Sequence, residues 1–192
     1  MREEAYKYGM EYSPYPPYEI LKTDKITYEE LLKLKKVEEM VDKYYNSQKF
    51  NLIIKYFEEK FDKPFDFYYS LGNFFENQGY FNRSISNAEY YKVFLDFNET
   101  VLENNNEYLK EIIRFNYLIY NKRRGLPEFL RSDMKKEEEK SIKEKLKEEY
   151  SFKEYHLEKF NINMDKYIQK GEIFKEKTYY LFNDKMKYIR CI

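Results

Sequence analysis

The sequence predicts a mainly α, α+β domain: a helical bundle of about five to six helices with a small C-terminal antiparallel β-sheet. Three observations predict it. Apolar residues recur with a 3.6-residue period through most of residues 27–124. Two Ser/Thr-x-x-Glu sequences, Thr27 with Glu30 and Ser86 with Glu89, stand where helical stretches begin. After Ser151 that period gives way to short runs rich in Tyr, Phe and Ile, which read as strands.

The elements follow in chain order. Residues 2–8 read as the tail of a helix, with Gly9 placed to end it. Residues 10–26 form a Pro-rich connector in which Pro14, Pro16 and Pro17 fix φ and remove three donors, so a stiff, PPII-like segment is expected. The first long helix opens at Thr27 and carries apolar residues through Tyr44 and Tyr45, until Asn46-Ser47 interrupts it. A second helix carries Phe50, Ile53, Ile54, Phe57 and Phe61 to the break before Pro64. Asp66 is the expected cap of a third, and Gly79 its C-terminal residue. Ser86 opens a fourth, with Tyr91, Phe94, Phe97 and Val101 facing inward.

The fifth helix runs from Glu107 with Leu109, Ile112, Ile113, Asn116 and Ile119 on one face. Lys122-Arg123-Arg124, Gly125 and Pro127 mark its expected end. Residues 131–149 hold seven basic and seven acidic side chains around a thin stripe of Ile142, Leu146 and Tyr150. That composition predicts a solvated helix lying on the domain. Strands are expected at residues 156–160, 177–182 and 187–192, with Asn183-Asp184 as the turn between the last two. The organisation read from this is a tail at 1–9, a connector at 10–26, a bundle at 27–150 and a small β appendage at 151–192.

Length and charge narrow the function. At 192 residues the chain is one domain with at most a small appendage. Its 35 basic and 35 acidic side chains cancel, which excludes the strongly basic footprint of a dedicated duplex-DNA or anionic-membrane binder. No nucleic-acid partner is expected. The 23 Tyr and 16 Phe accompany few Arg and Ala, as A/T-rich codons would give, and are assigned to the core and its rim. No apolar run approaches 18 residues, so no membrane span is read. The single Cys191 rules out an internal disulfide, and a reduced, cytoplasmic location is expected.

Chemistry-bearing motifs are sparse. One His and one Cys do not build a zinc or iron–sulfur site, and the five glycines form no phosphate loop. His156 and Cys191 read as ordinary strand residues. No catalytic, cofactor-binding or metal-binding residue is assigned, and the isolated chain reads as non-catalytic.

Several segments carry a resemblance. They are Met1–Ala5 and Tyr8–Met10, Tyr15–Leu21, Leu34–Val41, Tyr44–Ser47, Pro64–Tyr68, Phe115–Leu118 and Arg123–Pro127. Together they resemble the helical C-terminal domain of unknown function of bacterial cobalamin-binding radical S-adenosylmethionine proteins. The family tends to have Asp where this chain has Asn116, and the three-cysteine cluster motif and cobalamin-binding region are absent here. The resemblance implies a longer parent polypeptide, with residues 1–9 as the tail of its upstream barrel. The implied partners are the radical barrel and cobalamin-binding domain, in cis. An iron–sulfur cluster, S-adenosylmethionine and cobalamin are implied for that parent alone.

Two roles follow. The domain packs beside the barrel and shapes substrate access, or it is a recognition module for a macromolecular or lipid-linked substrate or a protein partner. The interaction candidates are Tyr15, Tyr18, Tyr44, Tyr45 and Phe65, with Arg123 and Arg124 as a polar rim. The competing reading is that these aromatics cap the domain's own core.

Overall fold

The computed structural model describes residues 5–122, 125–153, 155–183, 185 and 187–191. Among them the chain forms seven α-helices, a two-stranded hairpin and a three-stranded antiparallel sheet, an α+β fold. Arg123 and Arg124 lie outside the described residues, as do residues 1–4 of the expected N-terminal helix tail. What is described of that tail is a short 3-10 turn, Tyr6–Tyr8, ended by Gly9 at φ +55°. A Cβ at Gly9 would overlap the Asp24 carboxylate, so this turn has room only for glycine.

The connector departs from the extended form. It folds back as a hairpin of β1 (Glu11–Tyr12) and β2 (Ile20–Lys22). Its three prolines sit in or beside the turn, where no ladder donor is needed. The Ser13 amide donates to the Glu19 carbonyl at 2.8 Å and the Tyr18 amide to Tyr15 at 2.9 Å.

Helix α1 (Tyr28–Met40) begins with the expected capping box. The Glu30 amide donates to the Thr27 hydroxyl at 3.2 Å, and the Thr27 amide donates to the Glu30 carboxylate at 2.8 Å. The chain then widens into a π-helical segment, Val41–Asn46. This turn buries Tyr44 completely and leaves its neighbour Tyr45 half exposed. Helices α2 (Asn51–Glu58) and α3 (Pro64–Asn77) follow. The cap of α3 is a correction: Pro64 occupies the first helical position after Lys63, and Asp66 falls within the first turn. Gly79 is left-handed after its C-terminus, as expected. Gly72 lets α1 approach α3, since a Cβ there would stand 3.2 Å from the Lys36 Cβ.

Helix α4 (Asn87–Thr100) has the second capping box, from Ser86 and Glu89. Helix α5 (Glu107–Tyr120) is buried on nearly every side. It stops before the expected Gly125, because Asn121 closes it, donating from Nδ2 to the Tyr117 carbonyl at 3.0 Å and to the Tyr91 hydroxyl at 3.1 Å. The charged segment forms α6 (Lys136–Leu146).

Strands β3 (Tyr155–Ile162), β4 (Lys175–Asn183) and β5 (Tyr188–Arg190) pair antiparallel in that order. Between β3 and β4 lies α7 (Met164–Lys170), a helix the sequence reading missed. Asn163 caps it and Gly171, at φ +83°, ends it. Tyr167 donates to the Leu52 carbonyl at 2.8 Å, and Lys55 donates to the Ile168 carbonyl at 3.0 Å, which ties the sheet region to α2.

The sheet is a middle layer. Phe160, Tyr180 and Phe182 point into the main core with Phe115 of α5. Leu157, Tyr179 and Leu181 point the other way, onto Ile142 and Leu146 of α6. The thin apolar stripe of the charged helix therefore has a definite seat. In the main core, aromatic rings pack edge to face or offset, as Phe57 does on Phe67 at 5.2 Å between centroids.

Candidate functional site

Two places concentrate unusual chemistry. The first is a cleft of about 660 Å3 between α1 with its π-helical extension, α2 and the start of α3. Val37 and Val41 come from the first wall and Ile54 from the second, while Phe67 and Tyr68 form the floor. Phe61 and Pro64 close the end where the chain turns from α2 into α3. Tyr45 and Phe65 stand at the mouth, 51% and 42% exposed. The polar members are two carboxylates, Glu58 and Asp62, both exposed. Among the described residues neither makes an ion pair. Burial, then the nearby Glu58 carboxylate and Tyr45, push the Tyr68 hydroxyl up to about 12, so it stays a neutral phenol at physiological pH.

Local sequence explains this opening. The π-helical turn moves Tyr45 out while Tyr44 packs against Phe50, Phe75 and Phe94. Pro64 starts α3 abruptly, so Phe65 is left on its first, exposed turn. Tyr69, one turn later, stacks on Phe65 with centroids 6.1 Å apart.

The second place is a polar junction where α5, β3 and α6 meet. Glu111 is 8% exposed; its carboxylate accepts from the Asn161 amide at 2.6 Å and the Asn161 side chain at 2.8 Å. Arg114, 3% exposed, lies 3.9 Å from that carboxylate, donates to the Lys159 carbonyl and stacks 4.4 Å from the Phe160 centroid. Burial raises the Glu111 carboxyl and lowers the Arg114 guanidinium from their ordinary values. Lys159 reaches Glu138 at 3.2 Å and Asp133 at 3.4 Å, and Tyr179 donates to Glu138 at 2.7 Å. A perturbed acid beside a buried cation is one signature of an active site. Here each charged side chain is tied to backbone or to a neighbouring charge, with only the Arg114 Nε of the guanidinium buried without a hydrogen-bond partner among the described residues, so the arrangement is a clamp between layers.

The candidates from sequence fall into four sets. Tyr45 and Phe65 come together at the cleft. Tyr15 and Tyr18 are exposed on the hairpin turn, away from the cleft's lining. Tyr44 is a correction: at 0% exposure, with its hydroxyl donating to the Tyr90 carbonyl at 3.3 Å, it is a core residue and presents no surface to a partner. For Tyr44 the core-capping reading holds. Arg123 and Arg124 lie outside the described residues.

His156 and Cys191 stand in the sheet region. His156 pairs with Phe182 across β3 and β4, and the Cys191 thiol donates to the Tyr179 carbonyl at 3.2 Å. Asn116 donates to the Lys49 carbonyl at 2.6 Å, a bond that an ionised carboxylate in its place could not make. Glu58, Asp62 and the Glu111–Arg114 pair were all missed. Each looks like ordinary helix polarity in sequence, and only their surroundings set them apart.

The fold and the cleft define a class: an α+β domain with one helical wall opened over an aromatic floor. The chain belongs to the protein family of unknown function DUF4080, whose family model matches residues 6–182. No curated protein and no solved structure matches it. Among the described residues no helix is long and apolar enough to cross a membrane, and no cluster of three or more His, Cys, Asp or Glu is placed to hold a metal ion.

Proposed function

We propose that the chain is a non-catalytic accessory domain of a cobalamin-binding radical S-adenosylmethionine enzyme, packing beside the catalytic barrel and shaping substrate access through the Tyr45–Phe65 cleft. One observation supports this reading above others. Segments 34–41 and 44–47, neighbours in the chain, and segment 64–68 farther on all carry the resemblance, and all three line this one opening. Concave, largely apolar sites with a few polar groups are where small molecules bind. The donor set of this chain does not fit the parent's cluster: its one thiol is engaged with the Tyr179 carbonyl, so that chemistry belongs to the barrel.

The test is made in the protein that joins this domain to a barrel. Replacing Tyr45 and Phe65 with Ala should raise KM for substrate about tenfold, the scale of one lost apolar contact of 1–2 kcal/mol. The substrate-free cleavage of S-adenosylmethionine by the barrel should stay unchanged. An unchanged KM, or equal loss of both activities, overturns the reading. An in-frame sequence upstream of Met1 encoding the three-cysteine motif would identify that parent.

A further inference from the structure

The cleft has a charge pattern that its apolar lining does not require. A pocket meant only to cover a neighbouring helix gains nothing from exposed carboxylates at its edge. Here Glu58 and Asp62 both border the opening, and no cation of this chain compensates either among the described residues. Aromatic rings complete the surroundings: Tyr45 and Phe65 at the mouth, Phe61, Phe67 and Tyr68 deeper in. Ring faces attract organic cations, and the attraction grows when the site is shielded from water. The adjoining surface already behaves this way. The Lys33 ammonium lies 5.9 Å from the centroid of Tyr69, the ring that stacks on Phe65.

We propose that this cleft binds a small organic cation with an apolar body, an alkylammonium or quaternary ammonium compound. Its hydrocarbon lies on the aromatic floor and its charge sits at the mouth between Glu58 and Asp62. This deepens the accessory-domain reading, on which its biological setting rests, by naming the class of molecule admitted. A volume of about 660 Å3 is within the usual range for a drug-sized ligand and accepts an apolar body of eight or more carbons. An anionic headgroup would meet two unpaired carboxylates and be repelled. A neutral one would forgo the attraction of a cation to the ring faces and to the acids.

The experiment uses the whole chain and three probes with the same tail and different heads. Octyltrimethylammonium, octyl glucoside and octyl sulfate are titrated separately, each below its micelle concentration, and followed by methyl NMR signals. The ammonium should shift Val37, Val41 and Ile54 saturably and bind about tenfold tighter than the glucoside, with the sulfate weakest. The double substitution Glu58→Gln with Asp62→Asn should bring the ammonium down to the glucoside's affinity. Both residues are exposed, so its circular dichroism and melt should match the wild type. The proposal is overturned if no probe saturates, if the shifts fall elsewhere, if head charge makes no difference, or if the preference survives the double substitution. Ammonium selectivity together with an unchanged KM in the Tyr45/Phe65 variant would sink the accessory-domain reading alone. The converse pair of results would sink the ligand class alone.

Discussion

The α5–β3–α6 junction and the α1–α2–α3 cleft handle charge in opposite ways. The junction buries Glu111, Arg114 and Lys159 and ties each to a backbone group or a neighbouring charge, although the Arg114 Nε has no hydrogen-bond partner among the described residues. The cleft leaves Glu58 and Asp62 exposed, with no ion pair to either among the described residues, and exposes rings beside them. Buried charge costs several kcal/mol unless it is paired, so the junction's ions are committed to holding layers together. Exposed, unpaired carboxylates cost little to keep, and so remain available to a ligand. Perturbed titration alone would have pointed to the junction. Geometry points to the cleft.

The largest effect should come from breaking the junction. Arg114→Ala strands the buried Glu111 carboxylate and should cost about 4 kcal/mol in denaturant unfolding. Adding Glu111→Leu to that variant should recover part of the loss, because the uncompensated charge goes with it. A loss below 1 kcal/mol for the single variant would mean that the junction is not a clamp.

A smaller effect separates the cleft wall from the core. Helix α1 buries only Met40 fully among its residues, so it depends more on its own end signals than α5 does. Thr27→Ala should cost about 1 kcal/mol. Hydrogen exchange should show the loss first in α1, and an even loss over all helices would contradict a locally supported wall.

The second capping box gives a pH test. Pairing with Arg83, then hydrogen bonds from Ser86, hold the Glu89 carboxyl at about 2. A depressed folded value means that the ionised form stabilises the native state. That contribution is present above the unfolded value of about 4.3 and is lost as pH falls toward 2. Glu89→Gln should therefore melt lower than wild type at pH 6, and the gap should narrow as pH drops from about 4 to 2. A gap that stays constant with pH would show that charge is not involved.

The smallest stability effect is expected at the mouth of the cleft. Phe65→Ala should change unfolding free energy by only about 0.5 kcal/mol, as for other exposed positions, while weakening binding of all three octyl probes. A loss comparable to that of Arg114→Ala would place Phe65 in the core and erase the contrast between the two regions.

Legibility followed distance along the chain. Both capping boxes were readable because their bonds span three residues, and Gly79 was readable because its backbone conformation favours glycine. The sheet was readable from its change of period, although α7 between two strands was too short to show a repeat. Tyr45 and Phe65 were picked out as surface aromatics, but nothing local said that they share an opening, or that Tyr44 beside Tyr45 is core.

By itself, then, the sequence determined the α+β class, the starts of α1 and α4, the presence of the C-terminal strands and a cysteine count of one, all of which rest on near neighbours or on composition. Only the tertiary structure decided which charges are spent and which are available. Glu111 meets Asn161 from 50 residues away, and Glu58 is set beside Tyr45 and Phe65 by the packing of three helices. The physical reason is that a carboxylate's role depends on desolvation and on partners supplied by other elements, and neither is encoded in the residues next to it.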